Sequence, residues 1–228
     1  MVIGNGLVAN AFRTYKNNED YLVFASGVSN SASEDPQQFE REKILLQDVL
    51  KEHHLKTLIY FSTCSIYDES LKNSPYVKHK LAMEELIMKR QSNYHIFRIS
   101  NLAGNTSNPH TVLNYFFQHI FRYDFFYLWK NACRNVIDVD DAFSVTDFIV
   151  KNNLFKNETI NIANPVNYSV IKIVELLEEI IGKKGNYSII DKGGTPEIDV
   201  KPIQHLFPIL NMSFDESYLK KTLKKYYR

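Results

Sequence analysis

No stretch of this 228-residue chain holds the ~18 consecutive apolar residues that a membrane-spanning helix needs. The short apolar start, Met1-Val-Ile3, lacks the charged and small-residue flanks of a signal peptide, so the expected location is the cytoplasm. An excess of one charge is missing too. The 27 Lys and Arg face 26 Asp and Glu, a balance that supplies no field for nucleic acid or a membrane surface. Cysteine is scarce: Cys64 and Cys133 lie in separate predicted elements at no metal-ligand spacing, which leaves two reduced, buried thiols and no metal site as the expectation. There is no internal repeat and no low-complexity linker. What the chain does have is a hydrophobic content of 44%, enough to bury a sizeable core in one α/β domain with a small lobe.

Strands alternate with helices along the chain, the pattern of a parallel sheet covered on both faces. Met1 to Ile3 reads as a strand, Gly6 to about Tyr15 as a helix, and Tyr21-Leu-Val-Phe-Ala25 as a second strand running into a small-residue loop. A helix from Pro36 to about His53 carries Phe39, Ile44, Leu45, Leu46, Val49 and Leu50 as its apolar stripe. Leu58 to Phe61 is the third strand, Pro75 opens a helix running to about Arg90, and Tyr94 to Ile99 is the fourth strand. Beyond residue 104 an aromatic-rich segment runs from Tyr115 to Trp129; core packing is its default reading and a ligand pocket the alternative. Helices at 142–152, 169–181 and from about 215, with a strand at 159–162, complete the chain. The basic pairs Lys220-Lys221 and Lys224-Lys225 read as a solvated helix face.

Two local patterns carry chemistry. Tyr76 and Lys80, four residues apart on one helix, project from one face, which sets an ammonium beside a phenol and favours the ionised phenol. Gly4-Asn-Gly6-Leu-Val-Ala9, a Gly-x-Gly-x-x-Ala turn directly after a strand, lets backbone amides at a helix start approach a pyrophosphate. Together they point to hydride chemistry. His79 lies between the pair in sequence but on another helix face, and is not expected to take part.

Five segments, in order, resemble the extended short-chain dehydrogenase/reductases that act on nucleotide sugars as epimerases, dehydratases and 4-ketoreductases. Ser62-Thr-Cys-Ser-Ile-Tyr67 is similar to the family's Ser-Ser-x-x-Val-Tyr, and Ser74-Pro-Tyr76-Val-Lys-His-Lys80 to its Ser-x-Tyr-x-x-x-Lys. Arg98-Ile-Ser-Asn101-Leu-Ala-Gly104, Arg134-Asn-Val-Ile-Asp138-Val-Asp-Asp141 and Asn161-Ile-Ala-Asn164 are similar to three further family segments. The resemblance implies a Rossmann-like α/β fold, residues 1–104 forming the dinucleotide-binding part and 105–228 the remaining sheet elements with a substrate lobe. It makes Thr63, Tyr76 and Lys80 catalytic. It implies NAD or NADP held by Gly4, Gly6, Leu7, Val8, Ala25, Ser26, Gly27, Ser62, Tyr76 and Lys80, and a nucleotide sugar met by Thr63, Ser65, Asn101 and Arg134. The implied activity is an epimerase or 4-ketoreductase in surface polysaccharide synthesis. The alternative is a binding protein of the same fold that has lost dinucleotide affinity.

The departures are specific. Relatives place two more strands and a helix between the first helix and the small-residue loop, whereas here about a dozen residues separate the first helix from Tyr21. The missing second strand is the one whose end reads the adenosine ribose, so no preference between NAD and NADP is legible. Its loss leaves strand one at the sheet edge, where pairing into a homo-oligomer is an expectation. Asp68 stands where the family has glycine, and the segment from Thr63 to Tyr76 is short.

Overall fold

The computed structural model describes residues 1–228. In chain order its elements are β1 (Val2–Ile3), α1 (Leu7–Ala11), β2 (Tyr21–Phe24), α2 (Pro36–Glu52), β3 (Thr57–Thr63), α3 (Pro75–Arg90), β4 (Tyr94–Ile99) and β5 (Asn101–Ala103). There follow α4 (Val112–Arg122), β6 (Phe125–Trp129), β7 (Cys133–Asp138), α5 (Val139–Lys151), β8 (Thr159–Ile162), β9 (Asn167–Ser169), α6 (Val170–Ile181), β10 (Asn186–Ile190), α7 (Lys201–Gln204), α8 (Leu206–Ile209) and α9 (Tyr218–Tyr226).

Near-continuous apolar strands require cover on both sheet faces. β2 and β3 are of this kind, and the central sheet is all-parallel in the order β1-β2-β3-β4-β8. On one face, α2 and α3 bury Leu46, Val49, Leu50, Met83 and Ile87 against Leu22, Phe24, Leu58, Tyr60 and Ile96. On the other, α5 and the turns around α7 and α8 bury Val145, Ile149, Ile203 and Phe207 against Val23, Ile59, Phe97 and Ile160. The fold is α/β and Rossmann-like. β1 is the edge strand, and only Lys16 to Asp20 lie between the 3-10 turn after α1 (Arg13–Tyr15) and β2. No helix is long and apolar enough to cross a membrane.

The C-terminal half holds more strands than its sequence pattern signals. β5, β7 and β9 form one small sheet, and β6 pairs in parallel with β10, some 60 residues away. The aromatic-rich segment divides by face: Phe116, Phe126 and Leu128 are core, packed with Val174, Leu177 and Leu223, while Phe121, Phe125 and Tyr127 face outward. The helix that opens at Gly6 is shorter than its pattern suggests, giving way to the 3-10 turn after Ala11. The basic face of α9 is not simply solvated. Lys225 bonds Asp138 and Asp140 at 2.9 and 2.7 Å, and Lys220 pairs with Glu179.

Candidate active site

In a parallel sheet every strand ends at the same edge, and ligands bind there. Gly4 follows β1, Ala25 follows β2, Thr63 ends β3 and Asn101 lies just past β4, so four segments singled out by sequence share that edge. Pro75 at the first helical position and a Ser74 side chain accepting from the Val77 amide start α3 sharply, and this places Tyr76 in its first turn with Lys80 one turn on.

Thr63 is buried at the end of β3, where its hydroxyl accepts from the Ser65 amide at 3.0 Å and donates to the Ser65 hydroxyl at 2.9 Å. Tyr76 is buried beside it. Burial pushes the Tyr76 phenol up, and Lys80 and the Thr63 hydroxyl pull it down without cancelling that effect. The spacing of Tyr76 and Lys80 suggests a phenol tipped toward ionisation; Lys80 does act in that direction, and burial of the phenol outweighs it. The ammonium is itself closely held. Lys80 Nζ donates to Glu42 Oε1 at 3.0 Å, to the Tyr60 hydroxyl at 3.1 Å and to the Phe61 carbonyl at 3.1 Å. Glu42 is wholly buried. Its carboxylate also accepts from the Val28 amide and the Tyr60 hydroxyl, each at 2.7 Å, and faces His79 Nε2 at 3.0 Å. Burial alone would raise the Glu42 carboxyl, but Lys80, His79 and these donors hold it well below the usual carboxylate range.

The glycines are explained by close approach. Gly4 has φ +124°, and a Cβ there would stand 2.3 Å from the Ala25 carbonyl oxygen. A Cβ on Gly27 would lie 2.6 Å from Lys80 Nζ and 2.9 Å from Glu42 Oε1. A Cβ on Gly104 would meet Leu7 and Val139, so this glycine lets the start of α1 pack on α5. Gly6 is different. Nothing lies within 4 Å of its Cβ position, and no side chain caps α1, so the amides of Leu7 and Val8 are left open to a ligand.

A sequence model of the NAD dependent epimerase/dehydratase family matches residues 8–163. The chain belongs to that family. Among solved structures it is similar to the UDP-glucuronic acid 4-epimerase of Bacillus cereus in complex with NAD, at 20% identity over 98% of this chain and 76% of that one, TM-score 0.75. It is similar also to the dTDP-glucose 4,6-dehydratase of Bacillus anthracis in complex with NAD, at 15% identity over 97% and 78%, TM-score 0.70. A third is RMD of Pseudomonas aeruginosa with NADPH, at 16% identity over 90% and 79%, TM-score 0.69. A search of the curated proteins found no match.

In this epimerase/dehydratase chain the remaining expected residues take varied positions. The Ser62 hydroxyl donates to Glu84, which also receives Arg98 at 2.9 and 2.6 Å, so that hydroxyl is committed away from any ligand. Ser26 is held by Arg41, which donates to its carbonyl at 3.0 Å. Asn101 donates to the Asn135 carbonyl at 2.8 Å. Arg134 lies 3.4 Å from Asp68, the residue standing at the family's glycine position, and donates to the Cys133 carbonyl. Sequence reasoning missed Glu42, Tyr60 and the bond His79 makes. The available signal was a single carboxylate on the buried stripe of α2, in step with Phe39, Leu46, Val49 and Leu50.

Proposed function

We propose that the chain is an NAD(P)-dependent nucleotide-sugar epimerase or 4-ketoreductase, with Tyr76 as the group that moves a proton at the reacting sugar oxygen. The observation that carries this reading is the convergence of Thr63, Tyr76 and Lys80 at the carboxyl edge of the sheet, with the Gly27 backbone against Lys80. The neighbouring structures that hold NAD or NADPH support the cofactor, and their UDP- and dTDP-sugar chemistries support the substrate class.

The residues fit a dinucleotide on its pyrophosphate and nicotinamide side. The open amides of Leu7 and Val8 suit phosphate oxygens, and the lack of any neighbour around Gly6 leaves room for them. Ala25, Ser26 and Gly27 border the same edge. Bound there, NAD(P) supplies a hydride acceptor or donor. Thr63 orients the substrate oxygen, and Tyr76 donates to it or accepts from it. Lys80 holds its charge near that phenol. Ser65 braces Thr63, while Asn101 and Arg134 offer donors to the sugar-phosphate and the diphosphate. The proposed setting is surface polysaccharide synthesis.

Calorimetric titration with NADH and NADPH tests the reading. Micromolar binding of either, abolished by Gly6→Val, is the expected result. Turnover of a nucleotide 4-keto-sugar should then fall roughly 10²- to 10⁴-fold in Tyr76→Phe. Absence of binding up to millimolar concentration refutes the oxidoreductase reading and favours the alternative, a sugar-nucleotide-binding protein of the same fold. The sheet edge at β1, which leaves the adenosine side without its strands, is the feature that speaks for that alternative.

A further inference from the structure

An uncharged, aromatic strand with an open edge is a template for another strand, and a protein that carries one has to cover it, charge it or pair it. β6, Phe125-Phe-Tyr-Leu-Trp129, is such a strand. It pairs with β10 alone, in a sheet of two strands. α4 and α6 cover one face of that sheet through Phe126 and Leu128. On the other face Phe125 and Tyr127 stand exposed, their rings 5.1 Å apart.

The backbone decides which polar groups are free. In a parallel ladder the N–H and C=O of alternate residues face one neighbour. The Lys130 amide donates to the Ile190 carbonyl at 2.9 Å, so Phe126 and Leu128 share its direction toward β10, and Phe125, Tyr127 and Trp129 aim their groups at the open edge. β1, at the edge of the central sheet, has only two residues and offers a far shorter template.

We propose that β6 pairs antiparallel with β6 of a second copy of the chain, across a two-fold axis at Tyr127, joining two small sheets into one of four strands in the order β10-β6-β6-β10. Direction and charge select this register. A ladder forms only where outward-aimed residues lie opposite one another, which restricts the axis to a residue position. With the axis at Tyr127, Phe125 lies opposite Trp129 and Tyr127 opposite itself, an aromatic row on the exposed face. Asp124, just before the strand, then lies opposite Lys130, just after it, once at each end. Both side chains are exposed, and neither forms an ion pair within its own chain. An axis at Phe126 would instead set Arg122 against Lys130, a contact of like charges, and an axis at Leu128 would set Lys130 against the buried Phe126.

The size of the contact fixes its strength. An aromatic side chain carries roughly 150–250 Å², so the half-exposed Tyr123, Phe125 and Tyr127 offer roughly 300 Å² per copy, short of the ~800 Å² of a standard interface. Strand bonds and the two flanking ion pairs add to this, which places the pairing at the weak, reversible end, with a dissociation constant of roughly 1–100 µM.

Sedimentation velocity of the full chain without ligand, from about 1 to about 500 µM, tests the proposal. The expected result is a mass that doubles as the concentration rises. Asp124→Lys, which sets like charges opposite each other at both ends, should weaken association at least about tenfold. The double variant Asp124→Lys with Lys130→Asp restores opposite charges in exchanged places and should return the constant to within about threefold of the natural protein. Tyr127→Pro removes an amide aimed at the second copy and none aimed at β10, so it should abolish association. If that variant does not fold, the two charge variants, on exposed side chains outside the active site, carry the test alone. A mass that stays constant across the range overturns the proposal. So does association that Asp124→Lys leaves unchanged or that the double variant does not recover, since either result places the contact on another face.

Discussion

His95 shows how a single residue ties the fold to pH. It sits near the start of β4, stacked on Phe97, with almost no exposure and with Nδ1 lacking a partner. Burial disfavours the imidazolium, and a bond to the backbone at Phe155 offsets this only in part, so the folded group titrates at about 4 instead of 6.5. Between those values the unfolded chain binds a proton that the folded chain refuses. Stability from this residue is therefore present above pH 6.5, falls as the pH drops toward 4, and changes no further below that. The full loss is about 3 kcal/mol. Urea unfolding of His95→Phe should show a shallower decline than the natural protein over the same window; parallel curves would refute the assignment. Tyr76 and Lys80 were picked out by spacing because they are local in sequence, and Thr63 by the resemblance of its segment to the family's. Glu42 was not: its part depends on α2 crossing next to α3, a contact 38 residues apart that no local pattern reports.

At the level of elements, α2 and α3 were readable because each opens at a proline, Pro36 and Pro75, and α2 also carries an apolar stripe; in the structure Asp35 and Ser74 cap them. β5, β7 and β9 are short, and β6 takes its partner from 60 residues downstream, so their state is decided by packing and not by periodicity. The segment after β3 shows what a trimmed element does to a site. In place of a flexible glycine, Asp68 caps a short turn and lies against Arg134, both side chains being mostly buried. In the proposed site a diphosphate must compete with that carboxylate for the guanidinium. Asp68→Gly should tighten UDP binding by roughly threefold to tenfold, on the order of 1 kcal/mol after screening, and Arg134→Ala should weaken it. Equal affinity in all three proteins would remove Arg134 from the diphosphate site.

For the molecule as a whole, the sheet order sets what a cofactor can touch. A doubly wound sheet holds a dinucleotide across the point where strand order reverses, with one half on each side. Here the order runs β1-β2-β3-β4-β8 in one direction from an edge, and only Lys16 to Asp20 lie where relatives place the strands of the adenosine side. The residues proposed for the pyrophosphate and nicotinamide side are all present: the glycine turn, the Gly27 loop, Thr63, Tyr76 and Lys80. Binding energy should therefore concentrate on the mononucleotide half. Reduced nicotinamide mononucleotide should bind within about tenfold of NADH, a difference of no more than about 1.4 kcal/mol, and NADPH should match NADH, since no strand end reads the adenosine ribose. Competition calorimetry with the three ligands measures this. A preference for NADH over the mononucleotide of a thousandfold would mean that another surface supplies an adenosine pocket, and a second copy of the chain lying against the β1 edge would be the first place to look.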